Sequence, residues 1–426
     1  MILADLARRI GWSRIGVVVG VALVVGLAGQ ALTRADAEWG RVFVRAAADL
    51  VAGRDFLAAG TLYLYPPFPT ILGLPFVGLP DWAARLAFYL VEIGCVVVTA
   101  VASWRLVGGG RLGEPSAATA RAWLVAALGA AVAVPYAVNT LAHQQIDLII
   151  SALVAVGALA VTRGRSFLGG ALIGVAAAIK GPPLLFLVYF LWRRDGRAIV
   201  GLLGAAAVAS LLPDAIAPAP HGTWVGLWLE RWVLPAMSPQ QTLGAWGTEA
   251  IYNQSIAGTL RRLAATTLAD VDGRLRVVDL AVAHLDNVAL KRLGYALMGG
   301  LGLATFAAAF RGDRRAGETA PAAGGLDPRA VELAIVPVLM LLLSPMSGLA
   351  HFPVVLPAAL VLARAAVDGG DRVARGFLAV AIAGALVVNK DLVGARLYDA
   401  ALWAGAATAT ALALWAGCVA VLMRRG

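Results

Sequence analysis

Apolar runs recur along nearly the whole chain, broken at short intervals by arginine or by glycine–proline turns. A helix of about 20 apolar residues crosses a hydrocarbon core of roughly 30 Å, so a chain with many such runs is built to sit in a bilayer. The composition agrees. Of 426 residues, 60% are hydrophobic and 14% charged, whereas a soluble domain carries roughly a quarter charged residues. An ordinary water-soluble enzyme, a disordered chain and a coiled coil are excluded. The runs are continuous rather than alternating, which also excludes a β-barrel. The fold class is an all-α polytopic membrane protein. The net charge of +10 would suggest nucleic acid in a soluble protein; here it reads as positive flanks that hold spans in place, with the bilayer and not nucleic acid as the partner. Cys95 and Cys418 both lie inside apolar runs and read as small core residues, with no disulfide or metal implied.

Twelve candidate spans are expected, near 15–33, 82–107, 122–138, 146–161, 167–179, 184–192, 198–212, 289–310, 330–343, 352–364, 376–388 and 401–422. Basic residues concentrate in alternate intervals, beginning with Arg8, Arg9 and Arg14. By the positive-inside rule this places both termini in the cytoplasm of a plasma-membrane protein. The first run is longer than a signal-peptide core, so it is read as an uncleaved anchor. Residues 1–426 form one integral membrane domain with two large extracytoplasmic loops, 34–81 and 213–288. Segment 41–52 reads as an amphipathic helix stopped by Gly53.

Several spans are too short to cross. Thirteen residues, 167–179, rise only about 20 Å. They are joined to 184–192 by Lys180-Gly181-Pro182-Pro183, and the pair 330–343 and 352–364 repeats the arrangement around Ser344-Pro345-Met346-Ser347 and His351. Broken, polar backbone at membrane depth is tolerated only where protein buries it or water reaches it. An outward-opening cavity with Lys180 and His351 in its wall is therefore expected.

The residues that could carry chemistry lie at the same outer face. The first loop holds Asp36, Glu38, Asp49 and Asp55, any of which could act as a general base on a hydroxyl or be a solvated loop acid. It continues into Tyr63-Leu64-Tyr65-Pro66-Pro67, where two prolines fix an aromatic at the interface. His143, Gln144, Gln145 and Asp147 crowd one membrane entry, a costly arrangement unless they bind something; Asp147 could equally be a first-turn helix acid. Lys180 at membrane depth calls for a compensating anion such as a lipid phosphate. In the second loop, Asn253 and Gln254 form a polar patch suited to a sugar or headgroup, followed by Arg261 and Arg262, available to phosphate. There is no Walker loop, no His/Cys/Asp metal cluster, no acidic pair at DxD spacing and no dinucleotide glycine motif. An enzyme of this kind must take an activated donor that needs no metal or other cofactor and reaches the site from the outer leaflet, which a lipid-phosphate sugar satisfies.

The order of these motifs resembles that of the GT-C-fold membrane glycosyltransferases, specifically glycosyltransferase family 87, which is similar to bacterial mannosyltransferases that use polyprenyl-phosphate-mannose. The resemblance rests on the acid-bearing first loop with Gly53 and Tyr65-Pro66-Pro67; on Gln145-Ile146-Asp147, where the family usually shows Gly-Gln-x-Asn; on Gly169-Gly170 through Lys180 and Pro183; on Asn253-Gln254-Ser255; and on Leu343-Ser344-Pro345 with His351. It implies a polyprenyl-phosphate-linked sugar as donor, a lipid or glycolipid as acceptor, and an inverting displacement on the extracytoplasmic side. Asp36, or second Glu38, would be the catalytic base. Lys180 and His351, with Arg261 or Arg262, would hold the donor phosphate. Tyr63, Tyr65, His143, Gln144, Gln145, Asp147, Asn253 and Gln254 would contact substrate. An arabinose donor is the nearest alternative. A secondary transporter is a different class with a similar span count, but the two halves of this chain show no repeat.

Overall fold

The computed structural model describes residues 26, 28–29, 31–34, 37–110, 117–238, 243, 251–264, 267–271, 274–278, 282–316 and 325–424. Most of the expected first span, its reading as an anchor, and Asp36 lie outside them. The remaining expected intervals all fall on helices. A π-helical turn, Trp39–Val44, runs into α1 (Arg45–Val51), and α2 (Pro69–Gly73) follows. Then come α3 (Asp81–Leu106), α4 (Ala117–His143), α5 (Asp147–Thr162), α6 (Ser166–Ile179), α7 (Leu185–Trp192) and α8 (Gly196–Ile216). The second loop carries α9 (Trp224–Trp228) and α10 (Ile256–Ala264). Helices α11 (Asn287–Ala316), α12 (Pro328–Leu343), α13 (Leu356–Val367), α14 (Arg372–Val387), α15 (Ala395–Ala404) and α16 (Ala406–Met423) complete the chain.

Two details differ from expectation. The second loop includes one antiparallel hairpin, β1 (Thr267–Val271) and β2 (Arg274–Val278), in register from Thr267 opposite Val278 to Val271 opposite Arg274. The expected last span is broken at Gly405, whose φ of +80° ends α15 in the left-handed region before α16 begins. Among the described residues, six helical segments are long and apolar enough to cross a membrane: Asp81–Leu106, Thr119–His143, Gly196–Ile216, Asn287–Arg311, Leu349–Val367 and Ala406–Met423. Three of the shorter expected spans are apolar helices of 10–17 residues.

Segment 41–52 folds as its pattern dictates. Val42, Phe43, Ala46, Ala47 and Leu50 face inward while Arg41 and Arg45 stay exposed. Gly53, at φ +65°, ends the helix, and its N–H donates to the Leu50 carbonyl at 3.0 Å. Trp39 anchors the segment by stacking on Phe88 of α3, with ring centroids 3.6 Å apart.

Small residues set the packing of the central layer. A Cβ on Gly170 or Gly174 of α6 would stand 2.1 Å from the Ala198 carbonyl oxygen or 2.2 Å from that of Leu202, both on α8. Conversely, a Cβ on Gly201 would stand 2.2 Å from the Phe167 oxygen. Only glycine lets these backbones approach so closely, the usual device where apolar burial gives helices no preference for one another over lipid. Helix α12 is buried along almost its whole length, from Ala330 to Leu342. Its axis runs beside α7 and α13. At one end of that axis Arg193, just past α7, makes a two-pronged pair with Glu332 of α12. One prong is Nε to Oε2 at 2.9 Å, and the other joins Nη2 to Oε1. Tyr189 donates to the same carboxylate.

Candidate active site

The turn after α6 and the turn after α12 meet. Helix α6 stops at Ile179 because Pro182 and Pro183 have no N–H to continue its ladder, and Lys180 is extended, at φ −158° and ψ 123°. Helix α12 stops at Leu343 before Ser344-Pro345, and a 3₁₀ segment, Leu349–Val355, carries His351. Lys180 Nζ lies 2.6 Å from His351 Nε2. It also donates to both Asp147 oxygens, at 3.1 and 3.3 Å, and His351 Nε2 is 3.9 Å from Asp147 Oδ2. The His351 ring is set by the Gly348 N–H, which donates to Nδ1 at 3.1 Å. The neighbouring Ala350 carbonyl accepts from the Thr140 hydroxyl of α4 at 3.0 Å.

Lys180 and His351 line a cavity of about 1600 Å³. Its wall also includes Glu38, Tyr65, His143 and Gln145, and an apolar portion formed by residues such as Pro135, Val138, Met340 and Leu349. The first loop reaches the pair through Tyr65, whose ring centroid is 5.4 Å from Lys180 Nζ. The Tyr65 hydroxyl donates to Glu38 Oε2 at 3.2 Å, and Gln145 Nε2 donates to Glu38 Oε1 at 2.5 Å. Burial, reinforced by the nearby Glu38 and Asp147 carboxylates, holds the Tyr65 phenol well above its ordinary pKa, so it remains a donor. Gln145 reaches Glu38 because α4 ends in a left-handed residue. Gln144 has φ +50°, and the Gln145 N–H donates back to the Thr140 carbonyl at 3.3 Å. His143 stays in the wall with Nδ1 2.8 Å from the Asn139 carbonyl oxygen. Glu38, Tyr65, Gln145, Lys180 and His351 therefore form one connected polar group on a largely apolar wall.

Other residues singled out by sequence lie elsewhere. Tyr63 is a core residue; its hydroxyl donates to the Pro66 carbonyl at 2.5 Å and its ring packs against Phe43 and Phe56. Burial pushes its pKa well up. Gln144 is fully buried and donates to the Arg85 carbonyl at 2.8 Å. Asn253 and Gln254 are also fully buried and stitch the second loop to the turn before His351. Asn253 Nδ2 donates to Pro345 O at 3.0 Å, its Oδ1 accepts from the Ser347 N–H at 3.1 Å, and Gln254 Nε2 donates to the Ile251 and Leu402 carbonyls. Arg261 and Arg262, expected at the phosphate, are placed away from the cavity wall. Arg262 is buried and spends its donors on the Trp403 and Asn253 carbonyls and the Thr259 hydroxyl, and burial lowers its pKa to about 10. Arg261 donates to Asn287. Asp49 and Asp55 pair with Arg54 and Arg231.

Sequence reasoning did not pick out Arg34, Arg41, Trp228, Trp232 or Tyr398, all of which line the cavity. For Arg41 a signal existed, since it follows Glu38 by three residues and so shares its helical face. For Tyr398, 360 residues beyond Glu38, none did. Among the described residues no group of three or more His, Cys, Asp or Glu side chains is placed to hold a metal ion.

Comparison with known proteins bears on this arrangement. Two curated relatives, from Mycobacterium tuberculosis and Mycolicibacterium smegmatis, are both described as polyprenol-phosphate-mannose-dependent alpha-(1-2)-phosphatidylinositol mannoside mannosyltransferases. The first is 30% identical over 280 residues, 61% of each chain. The second is 31% identical over 284 residues, 61% of this chain and 60% of the relative. The match thus spans about three-fifths of the relatives' own length. Among solved structures, ArnT from Cupriavidus metallidurans bound to undecaprenyl phosphate aligns over 97% of this chain and 77% of its own, at 16% identity and a TM-score of 0.43. A likeness that slight carries no argument. The profile of Glycosyltransferase family 87 matches residues 63–345, well over half the sequence and including Tyr65, Gln145, Asp147 and Lys180. The chain belongs to glycosyltransferase family 87.

Proposed function

We propose that the protein is a multi-pass plasma-membrane glycosyltransferase that moves mannose from polyprenyl-phosphate-mannose to a lipid or glycolipid acceptor on the extracytoplasmic face. The observation that supports this best is the meeting, in one cavity, of a cationic pole at Lys180, beside the His351 ring, with a carboxylate pole at Glu38. Family membership, with relatives named for this donor, favours mannose over arabinose. The apolar wall suits a prenyl chain.

The reaction is a direct, inverting displacement. The acceptor hydroxyl gives its proton to Asp36, or second to Glu38, as its oxygen attacks the anomeric carbon. The bond from that carbon to the phosphate oxygen breaks, and polyprenyl phosphate leaves with the electron pair. Lys180 and the His351 ring face the negative charge that develops on the phosphate. Tyr65 and Gln145 hold Glu38 in place. No step calls for a metal. The test is transfer by Asp36→Asn and Glu38→Gln variants in the presence of EDTA. At least one loses transfer while donor binding survives; full activity in both removes the mechanism.

A further inference from the structure

The cation on which that reading rests is already occupied. Both oxygens of Asp147 sit on Lys180 Nζ, at 3.1 and 3.3 Å. Asp147 is buried, with its side chain only 5% exposed, and it does not line the large cavity. It lines a second, smaller pocket of about 30 Å³ behind the wall, together with Ser151, Ser344 and Ser347. Lys180 and His351 line both spaces. The ammonium therefore stands at the boundary, with a carboxylate behind it and the substrate cavity in front.

We infer that Asp147 is an internal competitor for the phosphate of an isoprenoid monophosphate. It holds Lys180 back when the cavity is empty, yields the ammonium to the arriving phosphate, and reclaims it to help expel polyprenyl phosphate after transfer. This rests on the reading that Lys180 binds the donor phosphate. Two anions compete for one ammonium in a poorly solvated wall, where charge interactions are strong. A site that gripped the leaving phosphate without opposition would bind substrate and product alike and turn over slowly. Asp147 acts through Lys180 and touches no substrate, so it is a positioning residue, and it makes the affinity for phosphate weaker than the cation alone would give.

The sign of one effect tests this. Farnesyl phosphate binding is measured on purified full-length wild type, Asp147→Asn, Lys180→Met and the double variant, with kcat and KM for mannosyl transfer alongside. Asp147→Asn is expected to bind farnesyl phosphate about tenfold tighter, with KM and kcat both reduced. Lys180→Met binds it more weakly, and adding Asp147→Asn to Lys180→Met brings no gain. Asp147→Ser replaces Asp147→Asn if the latter does not fold. A folded Asp147 variant that binds no tighter than wild type, or a gain that persists without Lys180, overturns the inference while wild-type binding and transfer leave the proposed function standing. Absence of both saturable binding and transfer in wild type overturns the two together.

Discussion

Lys180 and His351 are 171 residues apart in sequence, yet their side-chain nitrogens are 2.6 Å apart. Lys180 sits at the tip of a pair of helices each too short to be a span, His351 at the start of the Leu349–Val367 segment that follows α12, and the two turns form one wall of the cavity. If this pair meets the charge on the leaving phosphate, Lys180→Met should cut kcat/KM by about 10²–10³-fold, the size of effect seen when one preorganised charge-stabilising donor is removed. His351→Ala should cost less, because Lys180 remains. Steady-state kinetics on detergent-purified variants of wild-type thermal stability would check both.

The pairing of the turns depends on what holds their helices at the other end. Arg193 and Glu332 make that clamp, with Glu332 buried. Arg193→Met should destabilise the protein by about 3–5 kcal/mol, because it strands a buried carboxylate, whereas a double apolar replacement of Arg193 and Glu332 should lie much closer to wild type. Thermal unfolding of the three variants decides it; equal losses in the single and double variants would show that the pair is not the clamp.

Arg262 tests whether its buried hydrogen bonds or the phosphate claim it. It donates to the Asn253 carbonyl and the Thr259 hydroxyl of the second loop and to the Trp403 carbonyl of α15. Arg262→Met should lower stability by about 2–3 kcal/mol, from hydrogen bonds made by a charged group. The folded fraction should keep its KM for the donor. A raised KM at unchanged stability would return Arg262 to the phosphate site.

The tip at Lys180 was legible in the sequence because a helix shorter than the bilayer is a physical anomaly with few solutions; the turn before His351 was read the same way, although the expected short span 352–364 belongs to a longer segment, Leu349–Val367. Lys180 and His351 stood out for the same reason, as did Tyr65 beside two prolines. The stop at Gly53 was legible from local chemistry alone. What could not be read was which polar residues face a cavity and which satisfy a buried backbone. Asn253, Gln254 and Arg262 have the composition of a binding patch, but Asn253 ties down the turn before His351, Gln254 bonds the Leu402 carbonyl and Arg262 bonds the Asn253 carbonyl. Gln144 and Gln145 are adjacent and identical in type, yet the left-handed backbone at Gln144 sends one to Arg85 and the other to Glu38. The Asp147–Lys180 contact, across 33 residues, needs the α5–α6 packing that no local pattern specifies.

The packing of α6 on its other neighbour, α8, has its own test. Gly170→Val would place side-chain atoms against the Ala198 carbonyl, already 2.1 Å from a bare Cβ. Overpacking of this kind costs about 1–3 kcal/mol, and here it should spread α6 from α8 and shift Lys180. A lower melting temperature together with a raised KM is expected; Gly204→Ala on α8, where a Cβ meets nothing within 4 Å, should change neither.

The most direct test of the account is mannosyl transfer itself. Purified protein is given radiolabelled polyprenyl-phosphate-mannose and a total lipid extract, with wild type and Lys180→Met compared in EDTA. The account predicts a labelled lipid product with wild type and a large loss with Lys180→Met. Transfer at the wild-type rate by folded Lys180→Met would contradict it.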